Sequence, residues 1–296
     1  MSRLERRYRW LLRAYPTGYR SDYGDELLGV LLDRAEPTRV SPPVREAWAL
    51  VLGGVRARIV EAAQGPAWTD GIHLGVMVLS LFNFAVLIPY ASSVPVWLGM
   101  SGLVVLCVLR GRLGLAIPLA LLTGVKVVAI TLGKPWLDET LLPVFADAPW
   151  EGMPALYGNG GPLAPLASWL LMILGLVALA IREERPRRRS WWWLLAVPLV
   201  AGTDPAWLDL VAGSPAAVVR VGLETVLLLA AVYAGHVTGD SRWGLAAALY
   251  LLPASAVLIE TMATAGRQDV AHWGLLLLLT GAATAVPLRA RRHVLL

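Results

Sequence analysis

From about residue 72 to residue 288 the chain alternates apolar stretches with short polar gaps. Eight stretches can be marked, at about 72–92, 94–109, 113–133, 163–181, 191–203, 216–236, 243–260 and 271–288. A helix needs roughly 20 mostly apolar residues to cross about 30 Å of hydrocarbon, so each stretch reads as a membrane span. The second and fifth are short, and their ends are the least sharply marked. The pattern predicts an all-α fold, a polytopic membrane helix bundle of about eight transmembrane helices over residues 67–296.

Before that region the period is helical and amphipathic. Leu4, Tyr8, Leu11, Leu12 and Tyr15 recur on one face with arginines on the other, and Tyr15-Pro16 ends the helix because the residue before proline avoids the α region. A second helix is expected from about Ser21 to Ala35, burying Tyr23, Leu27, Val30 and Leu31. A third begins with Ser41 as N-cap and Pro42 in its first turn, and turns Trp48, Leu52, Val55 and Ile59 inward as far as Ala63. Residues 1–66 thus predict a three-helix domain. So small a unit buries too little surface to be robust alone and should lean on the membrane or a partner.

Composition strengthens the membrane reading: 57% of residues are hydrophobic and mean hydropathy is +0.61, beyond soluble usage. Charge adds a direction. Eleven arginines precede residue 64; Arg110 and Arg112, five arginines within 182–189, Arg242, and Arg289, Arg291 and Arg292 follow. These 22 of 26 basic residues share one side if the N-terminus is cytoplasmic, and only Lys134 and Arg267 fall in outside loops. The positive-inside rule then places both termini in the cytoplasm. No cleavable signal peptide is read, since the chain opens on arginines rather than an apolar core. The basic first helix suits anionic lipid at about 1 kcal/mol per well-placed arginine. Nucleic acid is not expected as a partner, because eight acidic residues leave the segment only +3 and no reading helix stands out.

The string Leu11-Leu12-Arg13-Ala14-Tyr15-Pro16, then Tyr19-Arg20, then Tyr23-Gly24-Asp25-Glu26-Leu27 resembles the N-terminal motif of a broad group of mostly uncharacterised actinobacterial multi-pass membrane proteins. Members of that group are often encoded beside PadR-type regulators or transporter components. The resemblance covers about residues 4–35. It implies a bacterial plasma-membrane location and a cytoplasmic helical adaptor coupled to a membrane bundle, with Tyr15, Pro16, Tyr19, Arg20, Tyr23, Gly24 and Glu26 as the adaptor motif and a cytoplasmic regulator or another membrane subunit as partner. It carries over no catalytic residues.

A 4+4 parallel repeat is a further expectation. The third span opens Arg112-Leu113-Gly114-Leu115-Ala116 and the seventh Arg242-Trp243-Gly244-Leu245-Ala246, while Ser168-Trp169 in the fourth has a counterpart in His272-Trp273 of the eighth. Chance likeness between Leu/Ala-rich helices is the competing explanation, and the first and fifth spans show no convincing match.

Ionisable residues within spans are functional candidates by default. Lys126 lies about 20 Å into the third span, and Arg220 and Glu224 enter the sixth from outside at about 7 and 13 Å. Arg220 and Glu224, four apart, share a face. With Asn83 they are expected to form one intramembrane polar cluster, either an anion or proton site or an interhelical clamp with Lys126 snorkelling. The outside loop 134–161, with Trp136, Asp138, Glu139, Asp147, Trp150, Glu151 and a Gly-Asn-Gly-Gly turn, is expected to cap a site or to lie at the interface. Trp191, Trp192 and Trp193 read as an aromatic belt, with a substrate-binding aromatic cage as the alternative. Asp204-Pro205 and Asp209, near Trp207, are expected to mark a broken or re-entrant end of the fifth span, with the lining of an outer vestibule as the alternative.

No enzymatic signature is found. The four histidines lack metal-ligand spacing, no nucleophile elbow, P-loop or dinucleotide fingerprint occurs, and the one cysteine, Cys107, lies within a span. No metal or cofactor is expected. The sequence therefore points to a non-enzymatic signalling or membrane-assembly component, with a small-solute or ion transporter using Lys126, Arg220 and Glu224 as the alternative.

Overall fold

The computed structural model describes residues 2–36, 39–145, 156, 161–182, 186–201, 215–263 and 265–292. Among them the secondary structure is helical, without strands. The chain divides into two compact units, residues 1–65 and 66–296.

The first unit holds α1 (Arg3–Leu12), α2 (Thr17–Asp33) and α3 (Val44–Ala62). Ser2 and Glu5 form a capping box at the start of α1, each side chain accepting from the other's backbone N–H. The α1 face of Leu4, Tyr8, Leu11 and Leu12 is buried, as its spacing predicts. Helix α1 packs on both α2 and α3, which barely meet each other. The inward faces of α2 and α3 differ in part from those expected. On α2, Leu27 and Leu31 pack on the core as expected, with Leu28 buried between them, while Tyr23 and Val30 are exposed. On α3, Leu50 and Gly54 are buried and Ala47 and Val51 pack on the same core, whereas Trp48, Leu52 and Val55 face outward, Trp48 with 62% of its surface exposed.

Polar contacts set that rotation. The Tyr8 hydroxyl donates to Glu46 Oε2 at 2.7 Å. Arg58 donates from Nε to the Ala14 carbonyl at 2.5 Å and from Nη2 to the Arg13 carbonyl at 2.8 Å, satisfying acceptors left free at the end of α1. Gly54 lies against Ala14 so closely that any Cβ would collide with backbone. Boundaries shift as well: α2 starts four residues before Ser21, directly after Pro16, and α3 starts after Pro43 rather than Ser41.

The second unit contains α4 (Ala67–Leu87), α5 (Pro95–Leu109), α6 (Leu113–Thr131), α7 (Leu163–Ile181), α8 (Ala196–Val200), α9 (Pro215–Thr238), α10 (Arg242–Thr261) and α11 (Arg267–Arg292). Among the described residues, six of its helices are long and apolar enough to cross a membrane, which is compatible with an integral membrane protein. The stretches expected as the second and fifth spans are shorter, at Pro95–Leu109 and Trp191–Val200, the latter a 3-10 turn running into α8. At 1.5 Å per residue, 15 residues rise only about 22 Å.

Helix α4 is the hub of this unit and the most buried of the six long helices. It packs against α5, α7, α8 and α10; α6 lies against α5 and α7, and α11 against α9 and α10. Its approach to α10 depends on Gly71 and Gly75, where an added Cβ would meet Arg242 backbone and Leu249 respectively. Such small-residue spacing lets helix backbones come close.

Candidate functional site

In the first unit the motif tyrosines form a comb along α2. Tyr15 stacks on Tyr19 with ring centroids 5.0 Å apart, and Tyr19 meets Tyr23 at 5.2 Å. Tyr19 and Tyr23, four residues apart, share one face of α2, and Tyr15, just before the helix, continues the stack. The comb forms one wall of a cleft of about 600 Å³ whose other wall is α3, through Gly53, Arg56, Ala57, Val60 and Glu61, with Gln64 just beyond the helix end. Pro16 is buried at its base, and Gly53 has no side chain because the Tyr15 hydroxyl occupies that space. Burial pushes the Tyr15 phenol above its ordinary range, with Tyr19 adding to the shift, so it stays a hydrogen-bond donor. Of the other motif residues, Gly24 and Glu26 do not line the cleft and Arg20 lies half-buried on α2.

The intramembrane charges expected as one cluster separate into two groups. Lys126 on α6 is fully buried, but it pairs with the Asp138 carboxylate and donates to the Trp136 carbonyl at 3.2 Å. The segment after α6 folds back to supply both. Leu137 between them has φ of +68°, a left-handed conformation that costs a non-glycine residue about 1–2 kcal/mol. Leu142 is fully buried and the Phe145 N–H donates to the Ser93 carbonyl at 2.8 Å, which anchors this segment over Lys126. Residues 146–155 and 157–160 of the expected cap, with Asp147, Trp150, Glu151 and the Gly-Asn-Gly at 158–160, lie outside the described residues.

Glu224 on α9 gathers the second group. Its Oε1 lies 3.6 Å from Arg220 Nε and accepts from the Tyr250 hydroxyl of α10 at 2.5 Å, while its Oε2 accepts from His272 Nε2 of α11 at 2.7 Å. Arg220 and Glu224 are both buried. Tyr250 in turn packs on Phe82 of α4, with centroids 5.2 Å apart. Asn83 belongs to neither group; its Oδ1 accepts from Ser168 of α7 at 2.9 Å. The pair Arg220 and Glu224 is therefore brought together, and Lys126 and Asn83 have other partners. His272 and Tyr250 were not legible as site residues, since a tyrosine in an apolar run and a histidine near a span end carry no spacing signal.

A third network sits at the end of the bundle where α4 begins. The Asp70 carboxylate is shared by Arg189, at 2.6 Å, and Arg242, at 3.0 Å. Arg242 also pairs with Asp240 at 2.8 Å. Arg189 donates from Nε to His73 Nδ1 at 3.2 Å, so the His73 proton is on Nε2, which donates to the Val108 carbonyl at 2.8 Å. Burial pushes the Arg189 guanidinium below its ordinary range, and Asp70 opposes that shift.

The strings suggested as a repeat occupy different surroundings. Arg242 is buried in this network and Gly244 lies against Thr284, whereas Arg112 is exposed and Gly114 faces open space. Among the tryptophans read as a belt, Trp191 and Trp192 are exposed and the Arg110 guanidinium lies 4.2 Å over the Trp191 ring. Asp204, Pro205 and Asp209 lie outside the described residues.

Among the described residues no group of three or more His, Cys, Asp or Glu side chains is placed to hold a metal ion. The chain matches no family model, no curated protein and no solved structure.

Proposed function

We propose that this chain is a non-enzymatic component of a bacterial plasma-membrane assembly, whose first unit is a cytoplasmic adaptor that docks a regulator or another membrane subunit. The observation that carries this reading is the tyrosine comb with its cleft: from Tyr15, which packs on the core, the stack runs out to two exposed motif tyrosines, Tyr19 and Tyr23, that a very small unit spends on an open wall. The charge asymmetry supports eight spans with both termini cytoplasmic, the two shorter apolar helices completing the count.

Deleting residues 1–65 tests the role of the adaptor. Crosslinking in native membranes should then recover the inserted bundle without the partner that the full chain captures. Retention of that partner would overturn the reading. Orientation is tested with Cys107→Ala as background and single cysteines at Ser190 and Thr140: an impermeant thiol reagent on intact cells should label position 140 and spare 190.

Transport of a small solute or ion is the second reading, favoured by the Glu224 group, where a buried carboxylate joins three helices through a histidine, a tyrosine and an arginine. In proteoliposomes, Glu224→Gln should then abolish ion-dependent flux; absence of flux in the parent protein under any imposed gradient would dismiss transport.

A further inference from the structure

The cleft of the first unit has a shape and charge that specify its occupant more closely than docking in general. Its aromatic wall is a comb, with rings at 5.0 and 5.2 Å steps and Tyr19 and Tyr23 exposed by 38% and 51%. Two such steps reach about as far as one three-residue turn of polyproline II helix, which rises 3.1 Å per residue. Prolyl rings fit the notches between stacked aromatic rings, and an extended polyproline II strand leaves its carbonyls free to accept from tyrosine hydroxyls. On the opposite wall Ala57 and Val60 lie between the longer side chains of Arg56 and Glu61, leaving a low stretch along which a backbone can run beside Tyr19 and Tyr23.

Charge selects further. The first unit carries +3 overall, yet the cleft is lined by two carboxylates, Asp22 and Glu61, and one guanidinium, Arg56. This is a locally acidic site on a basic unit, complementary to a ligand that carries its own arginine or lysine. Acidic peptides and anionic headgroups meet the remaining surface of the unit more favourably than this cleft.

We propose that the cleft between α2 and α3 binds a short proline-containing segment with a flanking basic residue, presented in the polyproline II conformation by the docked partner. This rests on the adaptor reading and names the chemistry of what is docked. Tyr15 serves as the fixed end of the comb, held by Gly53 and Pro16, and Tyr19 and Tyr23 supply the notches.

The test uses the full chain in nanodiscs and fluorescence anisotropy with three labelled dodecapeptides: one of Pro-Pro-Arg repeats, one with every proline replaced by alanine, and one amphipathic helix of the same charge. The Pro-Pro-Arg peptide should bind at least tenfold more tightly than the other two. Tyr19→Ala with Tyr23→Ala, both at exposed positions, should weaken it at least tenfold, while Tyr19→Phe with Tyr23→Phe keeps the stack and loses less. Asp22→Asn should weaken the Pro-Pro-Arg peptide without affecting a Pro-Pro-Gln version. Equal binding of the alanine peptide, preference for the amphipathic helix, no binding of any peptide, or indifference to the tyrosine changes would each overturn the proposal. The adaptor reading is judged separately by partner capture on deletion of residues 1–65: capture lost on deletion with no peptide bound leaves docking intact and removes only the polyproline ligand.

Discussion

Lys126 and Glu224 both sit deep in the second unit with similar estimated depth along their helices, yet each is neutralised by a different neighbourhood. The sequence marks both residues because charge in hydrocarbon is rare. It does not mark Asp138, which looks like an ordinary loop acid until the segment after α6 returns over the helix end and brings the carboxylate to Lys126. Asp138→Asn should therefore strand a buried ammonium and lower stability by about 3 kcal/mol, the low end for a broken buried pair because Asp138 is one-third exposed. Adding Lys126→Met should recover most of that loss, whereas Lys126→Met and Glu224→Gln should be additive, all read by thermal unfolding in detergent. In the first unit, Tyr8 offers a pH test. Burial and then the bond to Glu46 push its phenol from 10.0 up to about 12, so its contribution is complete below about pH 10 and disappears as pH rises through about 12. Tyr8→Phe should cost about 1–2 kcal/mol at neutral pH and flatten that alkaline loss, measured by amide exchange across α1 in the full chain.

At the scale of elements, apolar runs long enough to span were plain, and all six long helices lie where the pattern put them. Faces were harder to read. Helix α3 carries two apolar stripes, one through Leu50 and Gly54 and one through Trp48, Leu52 and Val55, and periodicity alone favours the stripe with the larger side chains. The choice is made by polar contacts, Tyr8 to Glu46 and Arg58 to the end of α1, which no hydrophobic pattern encodes. Helix approach was equally silent, because a glycine in an apolar run looks the same whether it faces lipid or another backbone. Gly71 and Gly114 separate the two cases. A Cβ at Gly71 would lie 2.9 Å from the Arg242 carbonyl oxygen, which cannot rotate away, whereas Gly114 has nothing within 4 Å. Alanine gains up to about 1 kcal/mol of helix propensity at either site. Gly114→Ala should accordingly leave the melting temperature unchanged or raise it, while Gly71→Ala should lower it, an overpacking loss of about 1–3 kcal/mol exceeding the propensity gain.

Across the whole second unit, the arginines that announce topology are not all solvated loop charges. Arg189 belongs to a basic run and reads as one more cytoplasmic positive charge, and Arg242 opens a span in a string shared with Arg112. The structure takes both largely out of solvent and places them on Asp70, so that one carboxylate ties α4 to the 186–190 segment and to the start of α10. His73, bonded to Arg189 and to the Val108 carbonyl, extends the tie to the end of α5. Such a hub predicts unequal consequences for its two arginines when Asp70 is neutralised. Arg242 keeps Asp240 at 2.8 Å, whereas no other acidic side chain lies within ion-pairing distance of Arg189 among the described residues. Asp70→Asn should thus destabilise by about 3–5 kcal/mol, chiefly through Arg189. Arg189→Met in the Asp70→Asn background should restore much of the melting temperature, and Arg242→Met in the same background should lower it further by stranding Asp240. Thermal unfolding of the four proteins decides the matter: equal rescue by both methionine changes would mean that the two arginines depend on Asp70 alike, and that the ends of α4, α5 and α10 are not joined through Arg189.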